Sequence, residues 1–476
     1  MRKRFALCGA LMPIVCACLV ASGSYVRRLL FGRRGSSLPT GTRHDQAYHW
    51  PSGVGRVGSY TTTKYLGPSN LSAAYSWNWW HPFGRYGTGG LAGVSIDDEK
   101  NIYLNAYHTI LKFSPDGEAL WSFWPKPHTL YGREQVMQNS VSLWRGAVYG
   151  SDESGSVFAV SMATGSEIWS TKIQDENLIF RNNGFVTLHD GVVVAASDFE
   201  VLGIDAVHGN VLWAFRPDTP TWNLLASYPE DGTVVFQDWT GKAYRCNLAD
   251  GALIWKSGGN PETWTDGSAT VGPNRVVYAT LSYGGGGPGI YRPWHRLGGA
   301  LQAFNLADGT LLWQKEFPRF PNNMPAIGPG RGGGLTVYQP IGQWEQGKGY
   351  DVYALDAQTG ETQWTFEGPV QVGKFQATYF MPPEVQATIS PPYYTNPWSA
   401  PTVDPAGAVY IGNAEGWIYR LQDVDGNGRV EGDEVSSFNT SQPFCGSGGA
   451  AFAPGLMAIA AADSVWVFRW PEEPAA

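Results

Sequence analysis

The sequence predicts an all-β protein, a closed ring of four-stranded antiparallel blades. Three observations carry this: a repeated strand, turn and strand segment that ends in tryptophan, a repeat spacing that fits one blade, and a composition hostile to long helices. Of 476 residues, 60 are Gly and 32 are Pro, and both interrupt helices in mid-course. Aromatics make up 14 %, including 21 Trp, while charged residues reach only 16 %, against about 25 % in an average soluble chain. Such a chain can bury ample apolar surface, which excludes intrinsic disorder. A formal charge of -8 at pH 7 argues against a nucleic-acid surface, which needs clustered Lys and Arg.

Six segments align without gaps: ILKFSPDGEALW, VFAVSMATGSEIW, VLGIDAVHGNVLW, AYRCNLADGALIW, LQAFNLADGTLLW and VYALDAQTGETQW, ending at Trp121, Trp169, Trp213, Trp255, Trp313 and Trp364. In each, a Gly stands four positions before the Trp: Gly117, Gly165, Gly209, Gly251, Gly309 and Gly360. Each segment reads as an alternating strand, a tight turn and a second alternating strand, with the Gly supplying a positive φ. The Trp intervals are 48, 44, 42, 58 and 51 residues, the length of one blade in a radial array. Upstream of each hairpin lies another, such as residues 186–197 and 399–413, which completes four strands per blade.

The pattern resembles the quinoprotein repeat, or tryptophan-docking motif, of the PQQ-like β-propeller superfamily, close to A-x-D-x-x-T-G-x-x-x-W. The sixth copy, ALDAQTGETQW, is nearly the ideal form, and the resemblance covers roughly residues 71–470. It implies an eight-bladed β-propeller in which each outer-strand Trp docks between neighbouring blades. The count agrees: six blades carry the motif, residues 399–438 form a seventh, and the C-terminal stretch supplies three strands of an eighth. Its missing outer strand is expected at 71–80, with Trp77 and Trp79, so that N- and C-terminal strands close the ring and remove exposed edges. The motif tryptophans belong to the core and are not cofactor ligands.

Met1 to Arg4 are followed by no charge until Arg27, so residues 1–23 read as a signal peptide cut after Gly23 or as a retained membrane anchor. Residues 24–70, rich in Arg, Gly, Ser and Thr, read as a flexible linker, and 71–476 as the propeller. The expected location is extracytoplasmic: secreted, periplasmic or anchored by that apolar segment, which is also the expected membrane contact. Of five cysteines, Cys8, Cys16 and Cys18 lie in the apolar segment, which leaves only Cys246 and Cys445. A disulfide scaffold is thereby excluded.

In blade seven the turn before the outer strand is replaced by DVDGNGRVEGDE, residues 423–434. This matches the calcium loop D-x-[DN]-x-[DN]-G-x5-E in full and resembles EF-hand and dockerin-type loops. Asp423, Asp425 and Asn427 offer side-chain oxygens, Arg429 its carbonyl, Glu431 a contact through water, and Glu434 two closing oxygens. Gly428 permits the sharp turn and Val430 is the apolar anchor. A strand enters the loop and no second loop pairs with it, so the expected role is a structural or weak extracellular Ca2+ clip.

The long connections fall on the opposite face: 282–299 within blade five, 340–349 within blade six and 367–398 before blade seven. Long loops gathered on one rim often mark a binding surface. Tyr291, Arg292, Trp294, His295, Trp344, Tyr393, Tyr394 and Trp398 suit a protein or carbohydrate ligand. The resemblance implies two kinds of member. Quinoprotein dehydrogenases hold PQQ and calcium on the propeller axis, usually with an adjacent cysteine pair, and oxidise alcohols or sugars; binding members, such as an outer-membrane assembly lipoprotein, carry no cofactor. No two cysteines are adjacent, no acidic residue can be assigned to the axis, and no G-x-S-x-G elbow is present. The reading favours a non-catalytic binding or scaffold protein, with a PQQ-dependent dehydrogenase as the alternative.

Overall fold

A computed structural model describes residues 48–471, apart from 57–58, 83–92, 107–108, 126–128, 131–132, 135–139, 153–154, 174–184, 285–297, 343–348, 371–397 and single positions 198, 222, 266, 322, 445 and 447. The chain is an eight-bladed β-propeller. Blades one to seven span 94–123, 142–172, 187–215, 227–257, 263–317, 326–370 and 402–439, each an antiparallel meander from inner to outer strand. In blade four the inner strand is reduced to one bridge, Ser227 with Val235. Blade eight takes three strands from 451–469, and its outer strand is Tyr75–Trp80, paired with Ser464–Arg469. Residues 71–74, expected as part of that strand, instead form a single helical turn capped by Asn70.

Two rings of contacts hold blade to blade. On the outside, five of the six motif indoles donate Nε1–H to a carbonyl of the next blade: Trp121 to Met162, Trp169 to Ala206, Trp213 to Leu248, Trp255 to Leu306 and Trp313 to Ala357, at 2.8–3.2 Å. Trp77, outside the repeat, does the same from blade eight to Pro115 of blade one at 2.9 Å. Each ring lies flat on the turn glycine of that neighbour. A Cβ on Gly117, Gly165, Gly209, Gly251, Gly309 or Gly360 would come within 2.6–3.0 Å of the indole, and all six have φ between 70° and 90°. Glycine is thus demanded twice, by backbone conformation and by contact.

On the inside, hydroxyls of the inner strands donate to the next inner strand: Ser95 to Val141, Ser142 to Val186, Ser227 to Ala269, Thr270 to Pro325 and Thr402 to Ala450. These bonds satisfy polar backbone that is buried between blades. The middle strands carry the apolar core; Val192–Ala196 and Leu456–Ala461, for instance, are buried throughout. Cys246 lies in this core with its thiol pushed up to about 12 by burial, so it is a packing residue and not a nucleophile.

Trp255→Ala removes a nearly buried indole and leaves the Leu306 carbonyl without its donor. It should cost about 3–5 kcal/mol in a denaturant titration; a loss below about 1 kcal/mol would mean that docking does not carry the blade contact.

Candidate functional site

The propeller axis is the first place to look, because sites in folds of this kind gather where inner strands converge. Here a segment that precedes blade one bonds to the inner strands of blades one, two and seven. Within the stretch read from sequence as a flexible linker, Trp50, Val54 and Thr61 are each 1–2 % exposed. Trp50 pairs with Ile96 of blade one through bonds of 2.9 and 2.7 Å, and the Pro51 carbonyl accepts from Leu143 of blade two. The chain then forms a small hairpin, Gly55–Arg56 with Ser59–Tyr60, and returns along Val403 of blade seven, which bonds Thr61 and Thr63 at 2.9 Å each. Val54 shares one buried cluster with Phe185, Leu224, Met324 and Ala400, from the inner ends of blades three, four, six and seven. Only a segment inside the ring can meet so many blades.

Val54 is packed among apolar side chains, and the neighbouring Arg56 guanidinium donates to the Tyr48 carbonyl. The sequence signal for the hairpin was present in Trp50 and Val54, apolar residues set in a glycine-rich stretch, but nothing local marks them as axial.

The acidic loop is the second candidate. Asp423, Asp425 and Glu434 bring carboxylate oxygens within 4.8 Å of one another. Oxygens sharing one Ca2+ at about 2.3–2.6 Å stand up to about 5 Å apart, so the spacing fits that ion. Glu434 accepts from the Val424 and Asp425 amides, Asp423 from Gly426, Asp425 from Asn427, and Asn427 Oδ1 from Arg429. Gly428, at the sixth loop position, has φ +85°. Gly432–Glu434 closes the loop as a short helical turn with reciprocal Glu431 and Glu434 capping.

The loop is also fastened to its neighbour. Thr365 of blade six donates to the Gly428 carbonyl, and Val430 donates to the Thr365 carbonyl, both at 3.1 Å. Val430 is 4 % exposed and packs in the core shared by blades six and seven. Thr365 follows Trp364, so the loop stands where every other repeat offers a glycine turn to the docking indole. The Arg331 guanidinium of blade six lies directly over Gly426.

Of the looped-face candidates, Tyr291, Arg292, Trp294, His295, Trp344, Tyr393 and Tyr394 lie outside the described residues. Trp398 requires a correction. It is 1 % exposed, with its ring 5.8 Å from Tyr350 and 6.4 Å from Phe366, so it belongs to the core between blades six and seven and is unavailable to a ligand. Residues 1–23 also lie outside the described residues, among which no helix is long and apolar enough to cross a membrane.

Fold and docking contacts define a tryptophan-docked, PQQ-type propeller. A family model described as outer membrane protein assembly factor BamB matches residues 107–285 and 245–380, and the chain belongs to that family. The factor BamB of Yersinia pestis is 25 % identical over 183 residues, which are 36 % of this chain and 42 % of that protein. The chain thus spans less than half the length of the curated relative it matches. Among solved structures, BamB from Moraxella catarrhalis is similar at TM-score 0.56 and 14 % identity, covering 84 % of this chain and 99 % of that one. A quinohemoprotein alcohol dehydrogenase from Comamonas testosteroni aligns at TM-score 0.61 and 13 % identity, covering 90 % and 82 %. A europium-containing methanol dehydrogenase aligns at 0.60 and 11 %, covering 90 % and 99 %. At such identities these structures share the fold alone.

Val430→Ala empties the loop's anchor in the shared core and should lower stability by about 1–2 kcal/mol, measured by denaturant titration with calcium chelated. No change would detach the loop from that core.

Proposed function

We propose that the chain is an extracytoplasmic, non-catalytic propeller that binds a protein partner, with the 423–434 loop serving as a calcium clip between blades six and seven. The observation that supports the non-catalytic reading is the packing of Trp50, Pro51, Thr61 and Thr63 against the innermost strands of blades one, two and seven, where they would compete with a quinone for space near the axis. Membership of a family described by an assembly factor supports a protein partner. The fold shared with quinone dehydrogenases does not carry their chemistry with it. Rim and loops then remain for binding, and Tyr393, Tyr394 and Trp344 are the residues of the looped face proposed to meet the partner.

The clip follows from position as much as from charge. The carboxylates of Asp423, Asp425 and Glu434 repel one another without a cation, and the loop spans the one motif-bearing seam that lacks a docking turn. Calcium that binds only the folded loop stabilises the protein by mass action, by about 2.7 kcal/mol at a hundredfold excess over Kd. Export would place the loop where calcium is plentiful; residues 1–23 are proposed to direct it.

Calorimetry should find one calcium ion per chain, lost in Asp423→Ala, and chelation should lower the unfolding midpoint of the parent but not of that variant. Unchanged binding in Asp423→Ala would refute the site. Adding PQQ with calcium should produce no cofactor absorbance and no alcohol- or sugar-dependent dye reduction. Stoichiometric cofactor uptake with turnover would overturn the non-catalytic reading.

A further inference from the structure

We infer that residues 48–56 and 59–66 are an axial pin, an intramolecular ligand that fastens the ring a second time across the seam where its ends meet. The ring already closes once, where Tyr75–Trp80 completes blade eight. The pin lies just before that strand and ties blades on both sides of the closure. It bonds Ile96 of blade one and Leu143 of blade two, then Val403 of blade seven. Thr62 Oγ1 donates to the Ile327 carbonyl of blade six at 2.6 Å. Its exit is held as well: the Gly67 amide donates to Asp404, and Tyr410 donates to the Pro68 carbonyl.

The bonds use backbone groups on the free inner edges of the innermost strands. The pin therefore does for the inner edges what a neighbouring strand does elsewhere in a sheet. Thr61, a β-branched residue, has φ +61°, a conformation that persists only where surroundings dictate it. The bonds from 62, 67 and 71 reach partners 265, 337 and 365 residues away. Those partners exist only after blades six and seven have been made, so the pin, though early in sequence, docks late, once the ring is in place. This holds whatever partner the rim binds.

Hydrogen exchange on the full chain tests it. The Trp50, Thr61 and Thr63 amides should exchange in step with the inner-edge amides of Ile96 and Val403; exchange at the rate of an unstructured peptide would overturn the pin. Val54→Asp, which puts a charge among apolar neighbours, should speed exchange at Ile96, Leu143 and Val403 at least tenfold while leaving Phe304 in blade five, which lies in a separate buried cluster, unchanged. Equal rates in variant and parent would overturn the inference. Should Val54→Asp fail to fold, Val54→Ala should show the same three amides selectively accelerated, and uniform acceleration across all blades would count against the pin.

Discussion

One contact sets the form of this protein: an indole lying flat on the turn glycine of the next blade, with its Nε1–H donated to a carbonyl there. The face of the ring needs a surface without a side chain, so the turn must be glycine. The edge needs an acceptor a fixed distance away, so the turn must present the same carbonyl each time. Together these fix the angle between blades. Repeating one angle around a circle closes it at a set number, and the hydroxyl bonds between inner strands keep the same spacing near the axis. Each burial contributes an aromatic payload larger than a typical aliphatic contact, which accounts for how few charges and how many tryptophans the chain carries.

The departures from the repeat lie where that contact is altered or absent. Between blades six and seven the glycine turn gives way to the acidic loop, whose Gly428 and Val430 bond to the residue just after Trp364. A cation there would neutralise the carboxylates and stiffen a seam that otherwise lacks its dock. Blade eight has its outer strand from the other end of the chain, and Trp77 restores the dock onto blade one. Residues that precede the first blade run along the innermost strands of blades one, two and seven.

Sequence reasoning reached the fold because the docking motif is local: Gly309 and Trp313, four residues apart, define both turn and strand without knowledge of their neighbours. The acidic loop was legible for the same reason, being twelve consecutive positions of fixed chemistry. Two features were not. Trp50 and Val54 bond to strands brought together only by ring closure, and their glycine-rich surroundings look like a spacer. Trp398 sits in a long aromatic connection, and nothing within that stretch distinguishes a residue that plugs the core beside Tyr350 from one that faces a ligand. Trp77 lay between these cases, since its strand could be inferred from the gap in blade eight although it lacks the motif.

The propeller axis separates a binding protein from a quinone enzyme. Residues packed against the innermost strands would compete with a quinone for space there, whereas the rim, the loop and the blades are compatible with either. Native mass spectrometry of the purified chain, incubated with excess PQQ and calcium, reads occupancy directly. The predicted spectrum holds the polypeptide with at most its calcium ion and no quinone adduct. A single stoichiometric quinone adduct that survives desalting would contradict the non-catalytic reading.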